Sequence, residues 1–107
     1  MAKTSRRTIA SHPGTILKEE FLEPHGISVY ALANALAVPR TRMNDIVLGR
    51  RGITADTAIR LGKFFATDAQ SWLNLQQRYD LIMAETALHH TLNDVRTLRD
   101  VVQHVAQ

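Results

Sequence analysis

The chain of 107 residues contains no cysteine. That removes disulfide bridges and thiolate metal sites together, and it fits a reducing cytoplasm. No apolar run approaches the ~18 residues needed to cross a bilayer, and no short apolar core of an export signal is present. The expectation is an unexported protein of the cytoplasm that makes no membrane contact. Glycine occurs five times and proline three times. The glycines read as turn or helix-end residues, and none belongs to a GxGxxG, Walker A or GxSxG pattern; HExxH is missing too. Of the five histidines, His89 and His90 are adjacent, so on a helix they point about 100° apart and cannot share a metal as an i, i+4 pair would. Glu19 and Glu20 are neighbours on a helix surface rather than a working carboxylate pair. No nucleophile has a base at a usable spacing. An enzyme is therefore not expected, and no metal or cofactor is called for.

What is present is a hydrophobic content of 45%, enough for the single core of a single domain. Charge is unevenly divided. Residues 1–51 carry +4 and residues 52–107 carry −1, which together make the +3 of the whole chain. A polyanion is drawn to the first half, and the second half is left for protein contacts.

The basic half contains SVYALANALAVPRTRMNDIVLG, residues 28–49. Leu32, Leu36, Val38, Met43 and Ile46, with the small Ala33, mark two short helices joined by a turn at Ala37 to Pro39, a helix-turn-helix. Ser28 suits the N-cap of the first helix, Pro39 the first turn of the second, and Gly49 the C′ position that ends it. Ala37 occupies the turn position where a left-handed glycine is usual, at a cost of roughly 1 kcal/mol if that conformation is kept. Met43, Ile46 and Val47 fall on one side of the second helix, and Thr41, Asn44, Asp45 and Leu48 on the other, with Arg40 and Arg42 flanking the outer face near its start. Such a face suits base edges in a DNA groove; the alternative is the solvated side of an ordinary helical hairpin.

Around this unit the chain reads as further helices. Residues 1–11 carry Lys3, Arg6 and Arg7 with little to bury, an arm that either follows phosphates or has no role. His12-Pro13-Gly14 reads as a turn, and a first helix is expected from Thr15 to Leu22, with Ile16, Leu17 and Phe21 inward, ending before Pro24. Arg50 and Arg51 follow Gly49 as either phosphate clamps or a charged exposed loop. Thr54 and Asp56 open a fourth helix whose Ala58, Leu61, Phe64 and Phe65 read as core. A fifth begins near Ala69 with Trp72, Leu75, Tyr79, Ile82 and Met83 on one face, where an aromatic stripe indicates packing. In the tail, Thr91 and Asp94 resemble a capping box, followed by Leu92, Val95, Leu98, Val102 and Val105 at alternating spacings of three and four. This seam of two heptads is too short to stand alone in water, so residues 89–107 are expected to form a helix that dimerises or docks on the domain.

Residues 12–81, HPGTILKEEFLEPHGISVYALANALAVPRTRMNDIVLGRRGITADTAIRLGKFFATDAQSWLNLQQRYDL, carry further marks in a fixed order: HPG and EEFLEP around the first helix, RGIT before the fourth, and WLNLQ with YDL in the fifth. This two-thirds of the chain resembles the HigA/VapI type of antitoxin, a branch of the Cro/C1-type helix-turn-helix proteins. The resemblance implies an all-α, lambda-repressor-like domain of five helices over residues 12–88, with an additional C-terminal helix. It implies a dimer that neutralises a cognate HigB-type toxin, a ribonuclease acting on messenger RNA, and that represses its own operon by binding an inverted repeat in double-stranded DNA. Carried over to this chain, it places Arg40, Thr41, Asn44 and Asp45 at the bases, and Ser28, Tyr30 and Arg42 at phosphates. Val29 stands where many Cro/C1-type proteins have a phosphate-binding glutamine. Asp45 either accepts from a cytosine amino group or pairs with Arg42. Two other readings remain open at this point: a solitary regulator with no toxin, and a toxin-binding protein that has lost DNA recognition.

Overall fold

The computed structural model describes residues 11–106, with side chains to residue 103. The basic arm expected over residues 1–11 therefore lies, apart from Ser11, outside the described residues, and so does the Val105 side chain. All regular structure among the described residues is helical. A first helical run, α1, covers residues 13–25. It is followed by α2 (Val29–Leu36), α3 (Arg40–Val47), α4 (Ala55–Phe65), α5 (Ala69–Ala87), a 3-10 turn (Thr91–Asp94) and α6 (Leu98–Ala106). Five helices with one more at the C-terminus are the expected all-α arrangement.

Helix α1 begins earlier and ends later than its sequence suggests. His12 is its N-cap, accepting at Nδ1 from the Gly14 amide at 2.9 Å, with Pro13 in the first turn, so HPG is a helix start and not a loop. At the other end the helix passes through Pro24. A proline ring clashes with the carbonyl four residues back in an α-helix. Here Leu17–Leu22 form a π-helical stretch in which the Glu23 amide reaches the Lys18 carbonyl, and this wider turn admits the ring. Gly26, at φ 66°, then closes α1.

Three further left-handed residues end helices: Ala37 at φ 59°, Gly49 at φ 78° and Ala66 at φ 57°. After α2 the amides of Ala37 and Val38 return to the carbonyls of Asn34 and Ala33, and after α3 those of Gly49 and Arg50 return to Ile46 and Asp45. Both are Schellman closures. The first is built on an alanine, so the strain anticipated at Ala37 is kept.

The core is one cluster. Leu17 and Leu22 of α1, Leu32, Ala33 and Leu36 of α2, Met43 and Ile46 of α3, Ile53, Ala58 and Leu61 around α4, and Trp72 of α5 are all buried. Helix α1 packs on α3 and α5, α2 on α3 and α4, and α4 on α5. Phe21 and Phe65 lie against Trp72, whose indole N–H donates to Thr67 Oγ1 at 2.8 Å. Phe64 departs from the expected core: it is 40% exposed, because it points about 100° around α4 from Phe65, the residue that packs against Trp72. Met83 is likewise exposed.

Two glycines prove not to be turn residues. Gly14 is buried in the first turn of α1, where a β-carbon would overlap the Ile46 carbonyl, and Gly62 lies inside α4, where one would meet the Thr67 carbonyl at 2.9 Å. Both mark places where backbones touch.

The tail also differs from expectation. Residues 88–90 form a turn, the 3-10 turn follows, and Val95 is extended, so the seam from Leu92 to Val105 does not lie on one helix. Thr97, and not Thr91, caps α6, accepting at Oγ1 from the Asp100 amide at 3.1 Å. Leu92, Val95, Leu98, Val101 and Val102 are exposed, Leu98 to 80%. None of these five side chains is buried against the rest of the described chain.

Candidate nucleic-acid interface

The helix-turn-helix puts α3 at the surface with its apolar side down. Met43 and Ile46 are fully buried, while Arg40, Thr41 and Asn44 are exposed and Asp45 is half-buried. At the start of α2, Ser28 Oγ accepts from the Ala31 amide at 3.0 Å, the expected cap. Pro39 is the N-cap of α3 and lies outside its first turn. This leaves Arg40 as the first helical residue.

Three side-chain groupings organise the polar face. Tyr30, 57% exposed, lies beneath the Arg40 guanidinium, 5.5 Å from ring centroid to Cζ. This cation–π contact links the start of α2 to the start of α3 and limits where Arg40 can reach.

The second grouping corrects an expectation. Asp45 does not pair with Arg42; it faces Arg50 at 3.9 Å and Arg51 at 3.8 Å. The Schellman closure at Gly49 turns the chain back over the end of α3, so the loop arginines arrive beside Asp45, while Arg42 is carried towards α4. These are long, exposed pairs of small energy. Both guanidiniums remain free to take a stronger anion.

Arg42 belongs to the third grouping. Its Nη1 donates to Asp56 Oδ1 at 2.8 Å, and the same oxygen accepts from Arg60 Nε at 2.8 Å. The hydrogen bonds from Arg60 and then from Arg42 hold the Asp56 carboxyl below its ordinary value. Arg60 Nη1 also donates to the Leu36 carbonyl at 2.8 Å and lies 3.4 Å from that of Ala37. Arg60 was not anticipated as a site residue. The only trace of its role in the sequence is the i, i+4 spacing from Asp56.

Behind α3 two more unanticipated residues brace the interface. Gln76 of α5 accepts from the Ile53 amide at 2.8 Å through Oε1, donates to Asp80 at 2.8 Å through Nε2, and lies against Gly52. The loop carrying Arg50 and Arg51 is thereby tied to α5. His12 sits between Gly49 and Tyr79, its ring meeting the tyrosine edge-on at 4.9 Å. Burial lowers its pKa, opposed in part by the charge of Asp80.

Among the described residues no three His, Asp or Glu side chains are placed to hold a metal. No helix there is long and apolar enough to cross a membrane.

The geometry is that of a helix presented to a duplex groove, and comparison with known proteins bears on whose. A Pseudomonas aeruginosa antitoxin HigA, solved with the higBA promoter, superposes with a TM-score of 0.81 at 48% identity, covering 83% of this chain and 98% of that one. Antitoxin HigA-1 of Vibrio cholerae is 41% identical over 81 residues, 76% of this chain and 74% of the relative. The chain belongs to the HigA/VapI family of helix-turn-helix antitoxins. Virulence-associated protein I of Dichelobacter nodosus is 62% identical over 76 residues, 71% of this chain and 70% of its own length. No protein-family model matches the chain. With 83% of this chain covering 98% of the P. aeruginosa HigA, part of this chain has no counterpart in that structure.

Proposed function

We propose that this chain is the antitoxin of a toxin–antitoxin pair, binding and neutralising a HigB-type toxin that cleaves messenger RNA and, as a dimer, repressing its own operon. The observation that carries the DNA half is the exposed row of Arg40, Thr41 and Asn44 on a helix anchored by buried Met43 and Ile46, in a chain so similar to an antitoxin solved on promoter DNA. A two-fold dimer places two copies of α3 about 34 Å apart, one in each of two successive major grooves. Arg40, Thr41, Asn44 and Asp45 read bases; Ser28, Tyr30, Arg42, Arg50 and Arg51 contact phosphates. The chain acts by binding and has no catalytic role, in the bacterial cytoplasm on the nucleoid.

The toxin half rests on family membership. The test for it is co-expression with the product of a neighbouring small gene. Rescue of growth supports the pair, and a solitary regulator is the outcome if no such gene exists. For DNA, titration of the inverted repeat upstream of the chain's own gene, against a random duplex of equal length, is expected to show preferential binding. Arg40→Ala should cost about 1 to 3 kcal/mol on the inverted repeat and relax sequence preference. No preference in the parent chain would leave only the toxin-binding role.

A further inference from the structure

The turn between α2 and α3 is held from outside the motif. Helix α2 ends in a left-handed alanine at Ala37. Its Schellman bonds satisfy the carbonyls of Ala33 and Asn34 and leave those of Leu36 and Ala37 to other donors. A helix C-terminus left so attracts a cation. Arg60 supplies it from α4, with Nη1 2.8 Å from the Leu36 oxygen and 3.4 Å from that of Ala37.

The same guanidinium is fixed on its other edge by Asp56, one helical turn earlier, and Asp56 Oδ1 also holds Arg42 in the first turn of α3. One arginine and one carboxylate of α4 therefore grip both sides of the turn, the end of α2 and the start of the reading helix. A lysine cannot do this, because it offers a point charge and no planar fork.

We propose that Arg60, held by Asp56, is a positioning residue for DNA recognition. It sets the angle between α2 and α3 and hence the placement of Arg40, Thr41 and Asn44 against the bases. The proposal rests on the DNA-binding reading given above. Arg60 is 39% exposed, so the competing role to be separated is a direct phosphate contact. The two differ in salt dependence, since a lost phosphate contact lowers the slope of log affinity against log salt by about 1 and weakens every duplex alike.

The experiment measures Arg60→Lys, Arg60→Ala and Asp56→Asn against the inverted repeat and a random duplex over a range of salt, with a melting curve for each variant. Arg60→Lys keeps the charge and is expected to stay folded. It should lose about tenfold in affinity for the inverted repeat, equivalent to about 1.4 kcal/mol, with random-duplex affinity and salt slope as in the parent. Asp56→Asn should lower the same ratio, although it removes a negative charge near the DNA. The proposal is overturned if Arg60→Lys binds the inverted repeat as the parent does. It is overturned equally if Arg60→Ala weakens both duplexes together with a slope smaller by about 1. A parent chain that does not distinguish the two duplexes removes the DNA-binding reading and this proposal together, whereas an intact parent preference with an unchanged Arg60→Lys removes the positioning role alone.

Discussion

Gly14 and Ile46 are in backbone contact: the α-carbon of the first lies so close to the carbonyl of the second that no side chain fits between them. The first turn of α1 is thus seated on the last turn of α3, and the reading helix is fixed at its far end as well as at its start. Gly14→Ala should cost about 3 kcal/mol of stability, because neither backbone can yield as a flexible side chain would. A denaturant titration followed through Trp72, the sole tryptophan and buried, checks it.

Ala37 and Ala66 are both left-handed, and alanine is strained there. Replacing either by glycine should stabilise the domain by about 0.5 to 1 kcal/mol, the relieved strain exceeding the added chain entropy of glycine. For a domain of this size that is a rise of roughly 4 °C in melting temperature. Differential scanning calorimetry reads it directly.

His12 caps α1 through an unprotonated Nδ1 and has a lowered pKa because it is partly buried, with Asp80 opposing. A folded pKa below the unfolded one means that the unfolded chain binds the extra proton first. Stability should therefore be full above pH ~7.5 and fall as the pH passes below the ordinary histidine value of about 6.5. His12→Asn retains a capping acceptor and should remove that part of the slope, seen as melting temperatures at pH ~7.5 and ~5.5 that lie closer together than in the parent.

Among the described residues Arg50 and Arg51 pair only with Asp45, at 3.9 and 3.8 Å. Arg50→Ala should leave stability within about 0.5 kcal/mol of the parent. It should weaken binding to all duplexes alike and lower the salt slope by about 1. Fluorescence anisotropy at several salt concentrations tests both.

Deleting residues 92–107 removes exposed apolar side chains, Leu92, Val95, Leu98, Val101 and Val102 among them, and no part of the core cluster. We expect Trp72 emission to stay unchanged and self-association to weaken, measured by sedimentation. An unchanged dimer would show that the pairing surface lies elsewhere.

The helix-turn-helix was legible because its determinants are local. Spacing alone places Met43 and Ile46 under α3, and a capping serine and a terminal glycine mark its ends. Pro24 misled because a proline ordinarily ends a helix, and only the π turn upstream shows why this one does not. The regular spacing from Leu92 to Val105 misled for the opposite reason: periodicity states which residues would share a face, not whether the backbone stays helical between them. Arg42 and Asp45 are three apart and were natural partners, yet each found a partner brought from another segment.

Local sequence, then, decided the helices, their caps, the buried side of α3 and the residue types it offers outward, because these follow from spacings of three and four along one strand of chain. Tertiary structure alone decided that Arg60 closes the turn, that Gln76 ties down the arginine loop, and that Gly14 must be bare. Those contacts join residues 23 or more positions apart, or 32 for Gly14 and Ile46. No periodic pattern encodes such a meeting; it exists only once the helices have packed.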